Sequence, residues 1–257
     1  MQPRIRSFRE ARRSDVGIFE EMLAVTTFSP YGYEQYGRRC LEGLAEFFPG
    51  RVIAYYEEKP KDLPEKVELR DFASIEKFGP FLDRVKRHPG SDGFGPDGKY
   101  DFRYDAQKFC RKVFVQDAVF DEDEYVFWID ADTIVKQAIP PEFLTSQFKG
   151  THLCFLGRGG SYTETGFIGF HTLHDAFGEF RARYLPYFTT GKIFSQLKGW
   201  HDCIAFDYAR MKLGNNLTPK GMNYDPVMVM SALAPYLDHL KGNRKDNPKK
   251  EAKLVWS

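Results

Sequence analysis

The segment that most limits what this chain can fold into is Tyr125-Val-Phe-Trp-Ile129, an apolar run that breaks directly into Asp130-Ala131-Asp132. A short continuous apolar run reads as a strand buried on both faces, and such strands belong to parallel sheets covered by helices. Similar runs stand upstream. Met22-Leu-Ala-Val-Thr-Thr-Phe28 ends in the turn chemistry of Ser29-Pro30-Tyr31-Gly32, Arg51-Val-Ile-Ala-Tyr-Tyr56 is a second strand, and residues 67–70 alternate as a short one near an edge. Between the first two, Tyr36, Cys40, Leu44 and Phe47 recur at three- and four-residue steps, which predicts an amphipathic helix over 33–48 closed by Pro49-Gly50. Strand, helix and strand in that order make a parallel βαβ unit. The fold class expected is therefore α/β, a mixed, mainly parallel sheet flanked by helices.

Downstream, the pattern predicts helices over about 105–119, 174–184 and 202–212, and strands at 153–156 and 167–170. Residues 88–100 hold four Gly and two Pro in thirteen positions and read as a long functional or mobile loop. The 257 residues fit one domain, expected over about 14–246, with a basic arm at 1–13 and a basic tail at 247–257. Hydrophobic residues at 42% and charged residues at 28% exclude wholesale disorder.

The arm and residues 241–253 each carry a net +4, so the remainder of a chain whose total is +1 must sum to −7. An acidic body with short basic ends speaks against a nucleic-acid partner. No run approaches the ~18 apolar residues of a membrane span, so no integral membrane segment is expected. The first thirteen residues lack the apolar stretch of a secretory signal. Cys40, Cys110, Cys154 and Cys203 stand 70, 44 and 49 residues apart with no C-x-x-C pair, and read as reduced thiols in a cytoplasmic protein.

Two carboxylates at the carboxyl end of a buried strand sit where open α/β sheets bind ligands. Strand alternation points Asp130 and Asp132 the same way, and a hard divalent cation, Mn²⁺ or Mg²⁺, relieves their repulsion. Far along the chain, His239-Leu-Lys-Gly242-Asn-Arg-Lys245 offers an imidazole for the same metal, a glycine permitting close backbone approach, and an ammonium for a phosphate.

An apolar strand into Asp-Ala-Asp, followed about a hundred residues later by H-x-x-G-x-x-K, resembles the GT-A glycosyltransferases, most of all the glycogenin and lipopolysaccharide galactosyltransferase (family 8-like) group. The Pro-Trp usual after the Lys is replaced here by Asp246-Asn247. The resemblance implies that Asp130, Asp132 and His239 hold Mn²⁺, that the metal and Lys245 hold the diphosphate of a nucleotide sugar, a UDP-sugar, and that Gly242 is the close-approach glycine. It places Thr26, Thr27, Phe28 and Tyr36 at the nucleotide base, with Ala131 beside the donor. Lys108 and Lys112 are put near the phosphates, Lys108 the preferred of the two. Glu164, Thr165 and Gly166 lie beneath the sugar, and Trp200, His201 and Asp202 beside the anomeric carbon or acceptor. Asp202, with Lys108 assisting, is the candidate for the chemistry, as stabiliser of the sugar cation, base or nucleophile. Retention of configuration is implied.

The expected activity is metal-dependent glycosyl transfer to a sugar, lipid or protein acceptor. Two alternatives stand beside it: a metal-dependent nucleotidyl or phosphoryl transferase, and a catalytically silent sugar-nucleotide-binding module. An HD-type hydrolase built on His201-Asp202 requires a mostly helical chain, which the strand-rich pattern opposes.

Overall fold

A computed structural model describes residues 22–219 and 227–245; the basic arm and the tail expected at the two ends lie outside these. The strands are β1 (Met22–Phe28), β2 (Arg51–Tyr56), β3 (Val67–Asp71), β4 (Tyr125–Ile129), β5 (Thr133–Val135), β6 (Leu153–Leu156), β7 (Glu164–His171), β8 (Asn215–Asn216) and β9 (Leu237–His239). Seven form one sheet in the order β3-β2-β1-β4-β7-β6-β8, and β5 pairs with β9 in a separate antiparallel ribbon. Only β7 runs against its neighbours in the main sheet.

Both faces of the sheet are covered, because the central strands are buried at successive positions and so present apolar side chains to both sides. Leu23, Val25, Ile53, Trp128 and Ile168 face the helices α2 (Phe78–Lys86), α3 (Ala106–Val119), α5 (Phe177–Thr189) and α7 (Asp202–Arg210). Met22, Ala24, Val52, Phe127 and Phe167 face α1 (Arg38–Phe47) and the ribbon residues Val135 and Leu237. Two shorter helices, α4 (Pro141–Ser146) and α6 (Ile193–Gln196), add Leu144 to the second of these cores and Ile193 to the first. The expected α/β sheet with helices on both sides is the fold observed.

Several local expectations shift. Ser29-Pro30 starts a helix instead of a turn: the Ser29 hydroxyl accepts the Gly32 N–H at 3.1 Å, and Pro30 at the first helical position lacks only a donor the helix start does not use. A wider π-helical segment, Tyr33–Gly37, then leads into α1. The helix expected at 174–184 begins at Phe177 and runs to Thr189, and the strand expected at 167–170 begins at Glu164. That expected at 202–212 stops at Arg210, where Met211 turns left-handed at φ +57°.

Order places the site. From β1 the chain steps outward through β2 and β3, then returns to lay β4 on the other side of β1. The chain leaving β1 goes on to strands on one side of the sheet and the chain leaving β4 to strands on the other, and such a switch point in strand order opens the crevice where ligands bind in sheets of this kind.

Candidate functional site

Asp130 continues the β4–β7 ladder by one rung, its N–H donating to the Gly166 carbonyl at 2.9 Å. Asp132 lies two residues on, where its carbonyl accepts the Leu240 N–H at 2.9 Å, and the next residue, Thr133, sits opposite His239 in the ribbon. The two aspartates thus occupy the turn between β4 and β5 and are not two positions on one strand face. It is the ribbon that delivers the histidine. His239 Nε2 stands 2.8 Å from Asp132 Oδ1 and 3.7 Å from Asp130 Oδ2, and the three residues present ligand atoms all within 4.8 Å of one another.

Burial alone pushes the Asp132 carboxyl up, but His239 and Lys245 overcome it and hold it well below the carboxylate range. Burial pushes the His239 imidazole down; Asp132 more than reverses this and holds it above its usual value. Lys245 Nζ lies 2.6 Å from Asp132 Oδ2 and 5.0 Å from the centre of the Tyr36 ring. Tyr36, carried by the π-helical segment, is half-buried, and its burial raises the phenol against the pull of Lys245.

Behind this group lies a second, buried one. Lys112 Nζ is 2.8 Å from Asp130 Oδ1 and 2.8 Å from Asp202 Oδ2, and it donates to the Thr165 carbonyl at 3.0 Å and hydroxyl at 3.1 Å. Trp128 Nε1 donates to the same Asp130 oxygen at 2.6 Å. Burial lowers the Lys112 ammonium, yet Asp130 and Asp202 raise it well above the usual lysine value. Asp202 is wholly buried; burial raises its carboxyl, but Lys112 and the Thr165 hydroxyl, which donates to it, leave it below the usual range.

The structure separates the residues expected here. Lys108, preferred over Lys112 on sequence, is exposed, its ammonium 5.5 Å over the Phe109 ring; the lysine joined to the aspartates is Lys112. Asp202 opens α7 but its carboxylate turns inward to Lys112. Gly166 lies under His239: a Cβ there would stand 2.4 Å from Nδ1. Gly242 is required for a different reason than close approach, since nothing lies within 4 Å of where its Cβ would be and its φ is +55°. Of the residues expected at a base or beside the donor, Phe28 and Ala131 are in the core, Thr26 is buried, and the Thr27 hydroxyl donates to the Tyr55 carbonyl at 2.9 Å. Only Tyr36 reaches Lys245.

Trp200 packs among His88, Phe194 and Tyr104. His201 is buried between Phe102, Phe109 and Tyr162, and burial depresses its imidazole against the opposing pull of Asp202. His201, Asp202 and Cys203 also bring ligand atoms within 4.8 Å, but Asp202 is already paired with Lys112 and burial pushes the Cys203 thiol up to about 12. All four cysteines are free thiols, as expected. Sequence reasoning missed the burial of Lys112, for which its apolar neighbours Cys110 and Val113-Phe-Val115 were the available signal. It also passed over Lys241, which pairs with Glu164.

The donor set of two carboxylates and one imidazole suits Mn²⁺ or Mg²⁺, with the nitrogen favouring Mn²⁺. The residues present therefore fit a hard divalent cation at Asp130, Asp132 and His239.

No family model matches the chain, and no curated protein matches it in sequence. Solved structures with a similar backbone include apo-form glycosyltransferase GlyE of Streptococcus pneumoniae (11% identity, TM-score 0.46, covering 77% of this chain and 45% of that one). Others are mouse xyloside xylosyltransferase 1 (12%, 0.44, 80% and 84%) and the bifunctional glycosyltransferase WbbM (12%, 0.45, 74% and 37%). The chain spans less than half the length of the GlyE and WbbM chains. No described helix is long and apolar enough to cross a membrane.

Proposed function

We propose that this chain has the GT-A fold and transfers a glycosyl group from a nucleoside-diphosphate sugar, a UDP-sugar by the sequence resemblance, to an acceptor, using a divalent cation. The observation that carries the reading is the convergence of Asp130, Asp132, His239 and Lys245 at the carboxyl end of β4, beside the switch point. Asp130, Asp132 and His239 would hold the cation, which supplies Lewis-acid stabilisation of the departing diphosphate. Lys245 supplies a positive charge at the same edge, and Tyr36 an aromatic face beside it for the nucleotide. Lys112 fixes Asp130 from behind. Asp202 holds Lys112 and Thr165 in this arrangement, which favours a stabilising role for its charge over direct attack.

The test is a thermal-shift titration with UDP, GDP and other nucleoside diphosphates, with and without Mn²⁺. A ligand bound only to the native state stabilises by about 2.7 kcal/mol at a hundredfold excess over Kd, a rise of several degrees in a domain of this size. The expected result is a rise that needs both Mn²⁺ and one diphosphate and is lost in Asp132→Ala. No rise with any diphosphate overturns the reading.

A further inference from the structure

His239 presents Nε2 to the aspartates, so its other ring nitrogen, Nδ1, must carry the proton whenever Nε2 gives its lone pair to a cation. Nδ1 is buried and makes no well-aligned hydrogen bond among the described residues. The atom facing it is Glu164 Oε1, 3.1 Å away. That carboxylate is held from two sides: Oε1 accepts the Gly166 N–H at 2.8 Å, and Oε2 pairs with Lys241. Glu164 is itself buried, 5% exposed, and the position two residues on is a glycine whose missing Cβ would stand 2.4 Å from Nδ1.

A buried carboxylate is costly unless something requires it, and one kept charged beside a metal-ligating imidazole raises the basicity of that ligand and fixes its tautomer. We infer that Glu164 is a positioning residue for the metal ligand His239, with Lys241 holding the carboxylate in place, and is not a contact to the donor sugar. This rests on the reading of Asp130, Asp132 and His239 as a cation site. The chemistry is specific: with Oε1 3.1 Å away, Glu164 is the acceptor the Nδ1 proton can turn to once a cation holds Nε2, which favours a single orientation of the imidazole. Lys241 holds the other carboxylate oxygen, Oε2, which leaves Oε1 facing Nδ1.

The experiment measures Mn²⁺ affinity directly, by the electron paramagnetic resonance signal of free Mn²⁺ in a titration of the full chain without nucleotide. Glu164→Ala is expected to weaken Mn²⁺ binding by about 10- to 100-fold. Glu164→Gln, which keeps an acceptor oxygen of the same shape, is expected to fall between it and wild type. The thermal midpoint of metal-free Glu164→Gln separates ligand positioning from general damage: it should stay near wild type while Mn²⁺ affinity falls. If Glu164→Ala does not fold, Glu164→Gln carries the test. Equal Mn²⁺ affinity in wild type and the folded variants overturns this inference alone. A wild-type chain that binds no Mn²⁺ overturns the cation site and this inference with it.

Discussion

Lys112 and Asp202 form an ion pair 2.8 Å long in which the two side chains are only 10% and 1% exposed. The same ammonium reaches Asp130, so one lysine from the middle of α3 ties the start of α7 to the residue that follows β4. An uncompensated buried charge is far more costly than a missing pair.

Lys112→Met leaves Asp130 and Asp202 facing each other without a cation. It is expected to cost about 3–5 kcal/mol in urea unfolding, and Asp202→Asn in the same chain should recover part of the loss. Lys108→Met, on the exposed turn before, should change stability by less than about 0.5 kcal/mol. Equal effects at the two lysines would remove Lys112 from its place in the buried network.

Gly166→Ala sets a methyl group where the imidazole of His239 now lies. Overpacking of this kind typically costs about 1–3 kcal/mol. Here it should also weaken Mn²⁺ binding in the resonance titration, because the neighbour that must move is a ligand. A variant that keeps wild-type Mn²⁺ affinity would mean that the ring tolerates displacement.

His152 is buried, 4% exposed, with its ring 5.6 Å from that of His174. Burial, then the His174 charge, lower its pKa, with Glu179 opposing and His171 adding to the depression. The unfolded chain therefore takes up this proton first as pH falls below about 6.5, so stability is full above that value and declines beneath it. Urea midpoints at pH 7.5 and 5.5 should differ more for wild type than for His152→Phe. An identical pH dependence in both would exonerate this residue.

Cys40 and Cys110 are buried, and desolvation pushes both thiols up to about 12; that of Cys154 rises further. The thiolate is the reactive form, so these three should resist iodoacetamide at pH 8 in the native state and react together on unfolding. Peptide mass spectrometry resolves the sites. Rapid native labelling at Cys154 would contradict its burial.

How much of this was legible in the sequence depended on the length of each signal. Strands β1, β2, β4 and β6 were readable to the residue, because each is built on a run of four or five apolar residues bounded by turn or polar residues. The ribbon was not: three residues, Thr133–Val135 and Leu237–His239, are too few for any period to register, and their pairing spans about a hundred positions. The candidate ligands were readable from residue type and spacing, while their meeting place was assigned to strand alternation instead of to the ribbon. Lys112 was underrated for a related reason. Spacing of four along a helix puts two lysines on one side but does not say which turn lies under the sheet's edge.

The β5–β9 ribbon also makes the order of synthesis matter. Every strand of the main sheet precedes residue 217, so all seven are made before the chain reaches β9. A nascent chain at that stage has both aspartates and Lys112 but neither His239 nor Lys245. It therefore lacks the third candidate ligand and the ammonium beside it. The last short strand acts as a latch: through Leu237 it closes over one face of the sheet and in the same step brings in His239, so the cover of that face and the candidate site are completed together.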